Sequence, residues 1–130
     1  MVTLQREDIA RHVAAQLASE FDPTLPEAVE KELERARQQK LSPSYDESVE
    51  VAALGVAIAA LLVQVASFAV QIYDFFRQDS RPLPEEEEYM LMVQEKIGME
   101  VLDSASPEKR KQIKRIIKVV VLEIIEQEDS

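Results

Sequence analysis

The sequence predicts an all-α fold, about five helices around one long apolar central helix at residues ~47–76. Three observations carry that expectation. Residues 51–73 contain no charge, although 31% of the chain is charged. Only 2 glycines occur in 130 residues, as expected of a helical protein with few tight turns. Helix start signals with proline in the first turn, Thr24-Leu25-Pro26 and Ser106-Pro107, separate stripes of apolar residues at helical spacing.

Composition bounds the rest. A chain of 130 residues that is 46% hydrophobic is long enough for one core and too apolar for wholesale disorder. A single helical domain over 1–130 is expected. The formal net charge of −10 disfavours non-specific binding of nucleic acid. With 0 cysteines, disulfides, thiolate nucleophiles and cysteine metal sites are excluded. The opening MVTLQREDIARHV is amphipathic and lacks the apolar core of a secretory signal, so cytoplasmic residence is expected.

The first helix is expected over 3–21. Thr3 is a candidate N-cap, and Ile9, Val13, Leu17 and Phe21 recur every fourth residue. Asp22-Pro23 stops it. Thr24, Pro26 and Glu27 then start a second helix over 25–41, with Glu27 and Lys31 in the favourable i,i+4 order. Its apolar positions are few, which suggests a peripheral helix touching the core along one edge.

Ser44 and Glu47 fit a capping box for the central helix. From 49 to 76 that helix would be roughly 42 Å long. Leu54, Ile58, Leu61, Val65, Phe68, Ile72 and Phe75 form one stripe at alternating four- and three-residue spacing. Ala53, Ala57, Ala60, Gln64, Ser67 and Gln71 form a second, small or polar stripe. A helix apolar nearly all round is buried in protein or in lipid. Gly55 with Ala59 is a small-xxx-small pair that admits another backbone closely.

Length alone permits a membrane span. Val, Ile, Leu and Phe between Val51 and Tyr73 contribute roughly −3 to −7 kcal/mol to insertion, opposed by Gln64, Ser67 and Gln71. The balance is near zero. Acids (Asp46, Glu47, Glu50) precede the helix and Arg77 and Arg81 follow it, so positive-inside logic would require residues 1–48 to cross the membrane.

Pro82 and Pro84 mark a linker at 78–84, flexible or not. Glu85 to Glu88 suit the start of a fourth helix over 85–102, with Tyr89, Val93, Ile97 and Val101 on one face. Gly98 weakens its last turns. Ser106-Pro107 starts a fifth helix over 107–127. Residues 118–125 are rich in β-branched side chains, which allows a strand, but Ile113, Ile117, Val120 and Ile124 keep helical spacing.

Candidate sites are few. His12 is the single histidine, beside an apolar stripe with no identifiable partner. Of the acids at 85–88, only Glu85 and Glu88 share a helix face, which is thin for a metal site. Six cations fall within 109–118: Lys109 with Arg110, Lys111, Lys114, Arg115 and Lys118. They read either as a solvated face partly neutralised by Glu85–Glu88 and other acids or as a patch for an anionic partner, an acidic subunit surface or lipid headgroups. Gln64, Ser67 and Gln71 read either as the edge of a packed helix or as groups lining a lumen.

No Gly-rich phosphate loop, nucleophile motif or His/Cys cluster is present, so no enzyme, cofactor, metal or small-molecule substrate is expected. The leading expectation is a non-catalytic assembly or adaptor protein whose partner is itself or another protein. Its self-association helix would use Leu54, Gly55, Ile58, Ala59, Leu61, Gln64, Val65, Ser67, Phe68 and Gln71. The alternative is a small membrane-inserting or pore-forming effector that uses helix 49–76.

Overall fold

The computed structural model describes residues 4–38, 54–98 and 106–129. The described residues form five helices and no strand: α1 (Arg6–Leu17), α2 (Leu25–Gln38), α3 (Leu54–Gln78), α4 (Glu86–Ile97) and α5 (Pro107–Asp129). The fold is all-α. The expected Thr3 cap, the Ser44–Glu47 capping box and the first turn of the central helix before Leu54 lie outside the described residues.

Helix α3 is unbroken over 25 residues and touches all four other helices. Around it α2 packs on α1, α1 on α5, and α5 on α4. Among the described residues α4 and α2 share no extended contact, so the wrap stays open along one side of α3. The core is wholly apolar. Leu62, Val65, Ala66 and Ala69 of α3 meet Ile9, Val13 and Leu17 of α1, Tyr89 and Val93 of α4, and Ile116, Ile117, Val120 and Ile124 of α5 in one buried cluster. Tyr89 brings the one polar tip among its largest members, and its hydroxyl donates to the Ala69 carbonyl at 2.6 Å. Burial, with the nearby Asp74 and Tyr73, pushes its phenol pKa well above the ordinary value. The group therefore stays a neutral donor.

Helix α2 corrects the expectation of a peripheral helix. Leu25, Val29 and Leu33 are all fully inaccessible, and α2 makes the most extensive contact with α3 of any helix. Few apolar residues did not mean little burial. They recur every fourth position, so one narrow face takes all of them into the core while the charged remainder stays outside.

The helix ends follow local chemistry. Asp22 Oδ1 accepts from both the Thr24 amide (2.9 Å) and hydroxyl (2.8 Å), which shapes the turn into α2. Ser106 Oγ accepts from the Lys109 amide at 3.2 Å, the cap expected at the start of α5. Helix α4 stops at Ile97, short of the expected 102, because Gly98 adopts φ 105°, a conformation that ends a helix. The β-branched run in α5 is helical, with Val119, Val120 and Val121 all buried. Helix α3 runs two residues beyond the expected end. Ser80 takes φ 56°, its amide bonds to the Arg77 carbonyl (3.0 Å), and the Arg81 amide bonds to the Phe76 carbonyl (2.9 Å). This pair of bonds is a Schellman closure, with Pro82 following. In the connection to α4, Leu83 packs against the core.

Two stability outcomes follow from these positions. Leu33→Ala should cost about 2–5 kcal/mol in urea unfolding, as a buried leucine does, whereas Leu91→Ala, at a site 58% exposed, should stay within about 0.5 kcal/mol. Ser80→Gly should stabilise the chain by up to about 1 kcal/mol, since a side chain in the left-handed region is strained and glycine is not.

Candidate functional site

The side of α3 left open by the wrap carries the most distinctive surface. Its helical phase brings Leu61, Gln64, Phe68, Gln71 and Phe75 onto one strip. Gln64 and Gln71 are exposed, Leu61 and Phe68 are partly buried, and Phe75 is 56% exposed. Phe76, one residue on, packs against the core and meets Phe75 edge-on with ring centroids 5.7 Å apart. That contact steadies an aromatic ring that is otherwise in water.

The strip has two different borders. On one side Arg6 of α1 donates to Ser67 Oγ at 3.3 Å. On the other, an open groove of about 440 Å³ runs between α3 and α4, lined by Gln71, Ile72, Phe75, Met92 and Lys96. Ile58–Gln78 is long and apolar enough to cross a membrane by length and composition, a test that the core helix of a soluble protein also passes. Among the described residues, 44% of its most apolar window is buried.

The residues expected to mediate association therefore divide. Ile58, Ala59 and Val65 face the chain's own core. Gln64 and Gln71 are exposed, and Leu61, Ser67 and Phe68 lie between the two conditions. Leu54 and Gly55 belong to the first turn of α3, and their surroundings lie outside the described side chains. The apolar stripe read from sequence is cut by the boundary between core and solvent, with Ile58, Val65 and Ile72 buried and Phe75 exposed, whereas the described members of the small or polar stripe are exposed or partly buried. The open strip combines members of both, and Met92 and Lys96 join it only through the packing of α4.

The basic residues Arg110, Lys111, Lys114, Arg115 and Lys118 are all exposed on α5. Arg115 is taken up by Glu20, with Nε and Nη2 donating at 3.0 and 3.1 Å. Among the described residues the neutralising carboxylate is Glu20, at the end of α1, one of the acids outside 85–88 that the sequence allows for. The remaining four have no ion-pair partner among the described residues.

His12 has partners that sequence spacing did not reveal. Its Nδ1 lies 3.2 Å from Glu123 Oε2 on α5. Glu123 also accepts from Gln16 Nε2 and Gln127 Nε2, each at 2.8 Å. This cluster clasps α1 to α5. Partial burial opposes ionisation of Glu123, but hydrogen bonds from Gln127, His12 and Gln16 outweigh it and hold the carboxyl below its ordinary value. Among the described residues no group of three or more His, Asp or Glu side chains is arranged to hold a metal ion.

Compared with protein-family models, with curated proteins and with solved structures, the chain gives no match.

The depressed carboxyl sets a pH dependence. A group whose pKa is lower when folded contributes stability above its unfolded pKa and loses it as pH falls through the folded one. Glu123→Gln should cost about 1 kcal/mol at neutral pH, and the difference from the parent should shrink as the pH is lowered through the acid range, checked by urea unfolding across a pH series.

Proposed function

We propose that this chain is a non-catalytic helical assembly protein that associates with itself through the open side of α3. The observation that carries this reading is the strip of Leu61, Gln64, Phe68, Gln71 and Phe75, left uncovered on the longest and most apolar helix. Burying apolar area drives association at roughly 25 cal/mol per Å². Large apolar patches on soluble chains mark interaction sites. The exposed face of Arg110, Lys111, Lys114 and Lys118 gives the assembly a second surface, suited to an acidic protein partner. No reaction, cofactor or small-molecule substrate is assigned to the chain.

A membrane-inserting effector is the second reading, favoured by the length and apolar character of Ile58–Gln78. For that to occur, the bundle would have to open, because Leu62, Val65, Ala66 and Ala69 are fully buried against neighbouring helices. The glutamines of the strip would then face a lumen shared by several copies.

The readings separate in two measurements. Light scattering at micromolar concentration without detergent should give at least twice the 14.8 kDa chain mass. Flotation with neutral and anionic vesicles should leave the protein unbound and the vesicles sealed. A monomer mass would defeat the assembly reading, and binding with leakage that Gln64→Leu or Gln71→Leu abolishes would favour the pore.

A further inference from the structure

We infer that the partner on this strip is a second copy of the chain, and that the two α3 helices run parallel across a two-fold axis with Gln64 and Gln71 each facing its own counterpart. The inference rests on the self-association reading and specifies its geometry.

The spacing is the first argument. Leu61, Gln64, Phe68, Gln71 and Phe75 alternate by three and four residues, the interval of a coiled-coil seam. Apolar residues occupy every a position in this strip and glutamine occupies each d position between them. In a parallel pair, a faces a and d faces d. Leu61, Phe68 and Phe75 then meet their counterparts in apolar layers. Each glutamine layer brings together two amides, and an amide both donates and accepts, so identical side chains can satisfy each other across the axis. In an antiparallel pair, a faces d. Every glutamine would be pressed against Leu or Phe, and its amide would lose water without gaining a partner.

Charge on the two borders gives an independent argument. Asp74 lies on the Ser67 side of the strip, and Lys96 lies on the α4 side. Both are exposed, and neither has an ion-pair partner within the chain among the described residues. A two-fold axis parallel to α3 lays the Ser67 border of one copy along the α4 border of the other. Each Asp74 is thereby brought to the side of its partner copy's Lys96. An axis perpendicular to α3 would set like borders together and leave both charges unmatched.

Area brings α4 into the contact. A strip about 10 Å wide over 61–78, roughly 27 Å long, falls short of the ~800 Å² per partner in a typical stable interface. The groove wall formed by Met92 and Lys96 extends it, so α3 and α4 of the two copies form a four-helix contact.

Cysteine cross-linking tests this directly, because the chain has 0 cysteines and an introduced thiol is the sole one. Gln64→Cys and Gln71→Cys, each alone, should both form a covalent dimer under mild oxidation. In an antiparallel pair at most one can, since the seven residues between them shift the other from its counterpart by roughly 21 Å, far beyond disulfide reach. Phe75→Ala should weaken association about tenfold or more. Asp74→Lys should weaken it, and adding Lys96→Asp should restore it. Light scattering on the same samples separates the levels of failure. A monomer, as would result if residues 39–53 or another part of the chain covered the strip, overturns both the assembly reading and this geometry. A dimer that cross-links at only one position, or at neither, leaves self-association standing and overturns the parallel seam.

Discussion

The structure depends on one imbalance. Helix α3 is apolar on nearly every side, and the described residues supply four helices to cover it. Four cylinders do not close a ring around a fifth of equal diameter. Two of the four, α1 and α4, are also only 12 residues long against 25 for α3. Among the described residues, part of α3 is therefore left without a neighbouring helix against it. The position of that part is not arbitrary. It is the side where glutamines interrupt the apolar pattern, so the least costly face to leave in water is the one left there.

The wrap itself is tied at its surface rather than in its interior. Arg11 of α1 donates to Glu30 of α2 at 2.6 and 3.3 Å, Arg115 of α5 to Glu20 after α1, and the Glu123 cluster joins α1 to α5. Exposed pairs contribute little energy, a median of about 0–1 kcal/mol. Their use is in register: each fixes one helix against the next around α3. Among the described residues, no buried side-chain polar atom lacks a partner. Helix order around the core is thus set by apolar stripes and kept by polar clips at the rim.

Much of the fold was legible because helices announce themselves locally. The Ser106-Pro107 start, the Gly98 stop and the uncharged run of α3 are signals within a few residues of where they act. What was not legible depended on neighbours. Leu25, Val29 and Leu33 read as a sparse edge, yet α3 approaches so closely that each is fully buried. Glu123 gave no sign of being a hub, since His12 and Gln16 lie more than a hundred positions away. The site shows the same limit. Sequence placed Gln64 and Gln71 in one stripe and Leu61, Phe68 and Phe75 in another, and either stripe alone suggested a different role. Only the line along which neighbouring helices stop covering α3 selects the members of both that share one face.

The glutamines bear on how such a helix meets its surroundings. An unbroken apolar strip would bind any apolar surface, including lipid and misfolded copies of itself. Polar amides at d positions weaken all such contacts but penalise the undirected ones most, because only a partner presenting amides at matching height restores their hydrogen bonds. The same residues oppose membrane insertion, where no water and no matching amide would meet a single copy. Gln64 and Gln71 therefore act in one direction under both environments. Under the proposed self-association they make the face costly to bury against anything but a second copy, and a surplus of apolar surface then specifies its own partner.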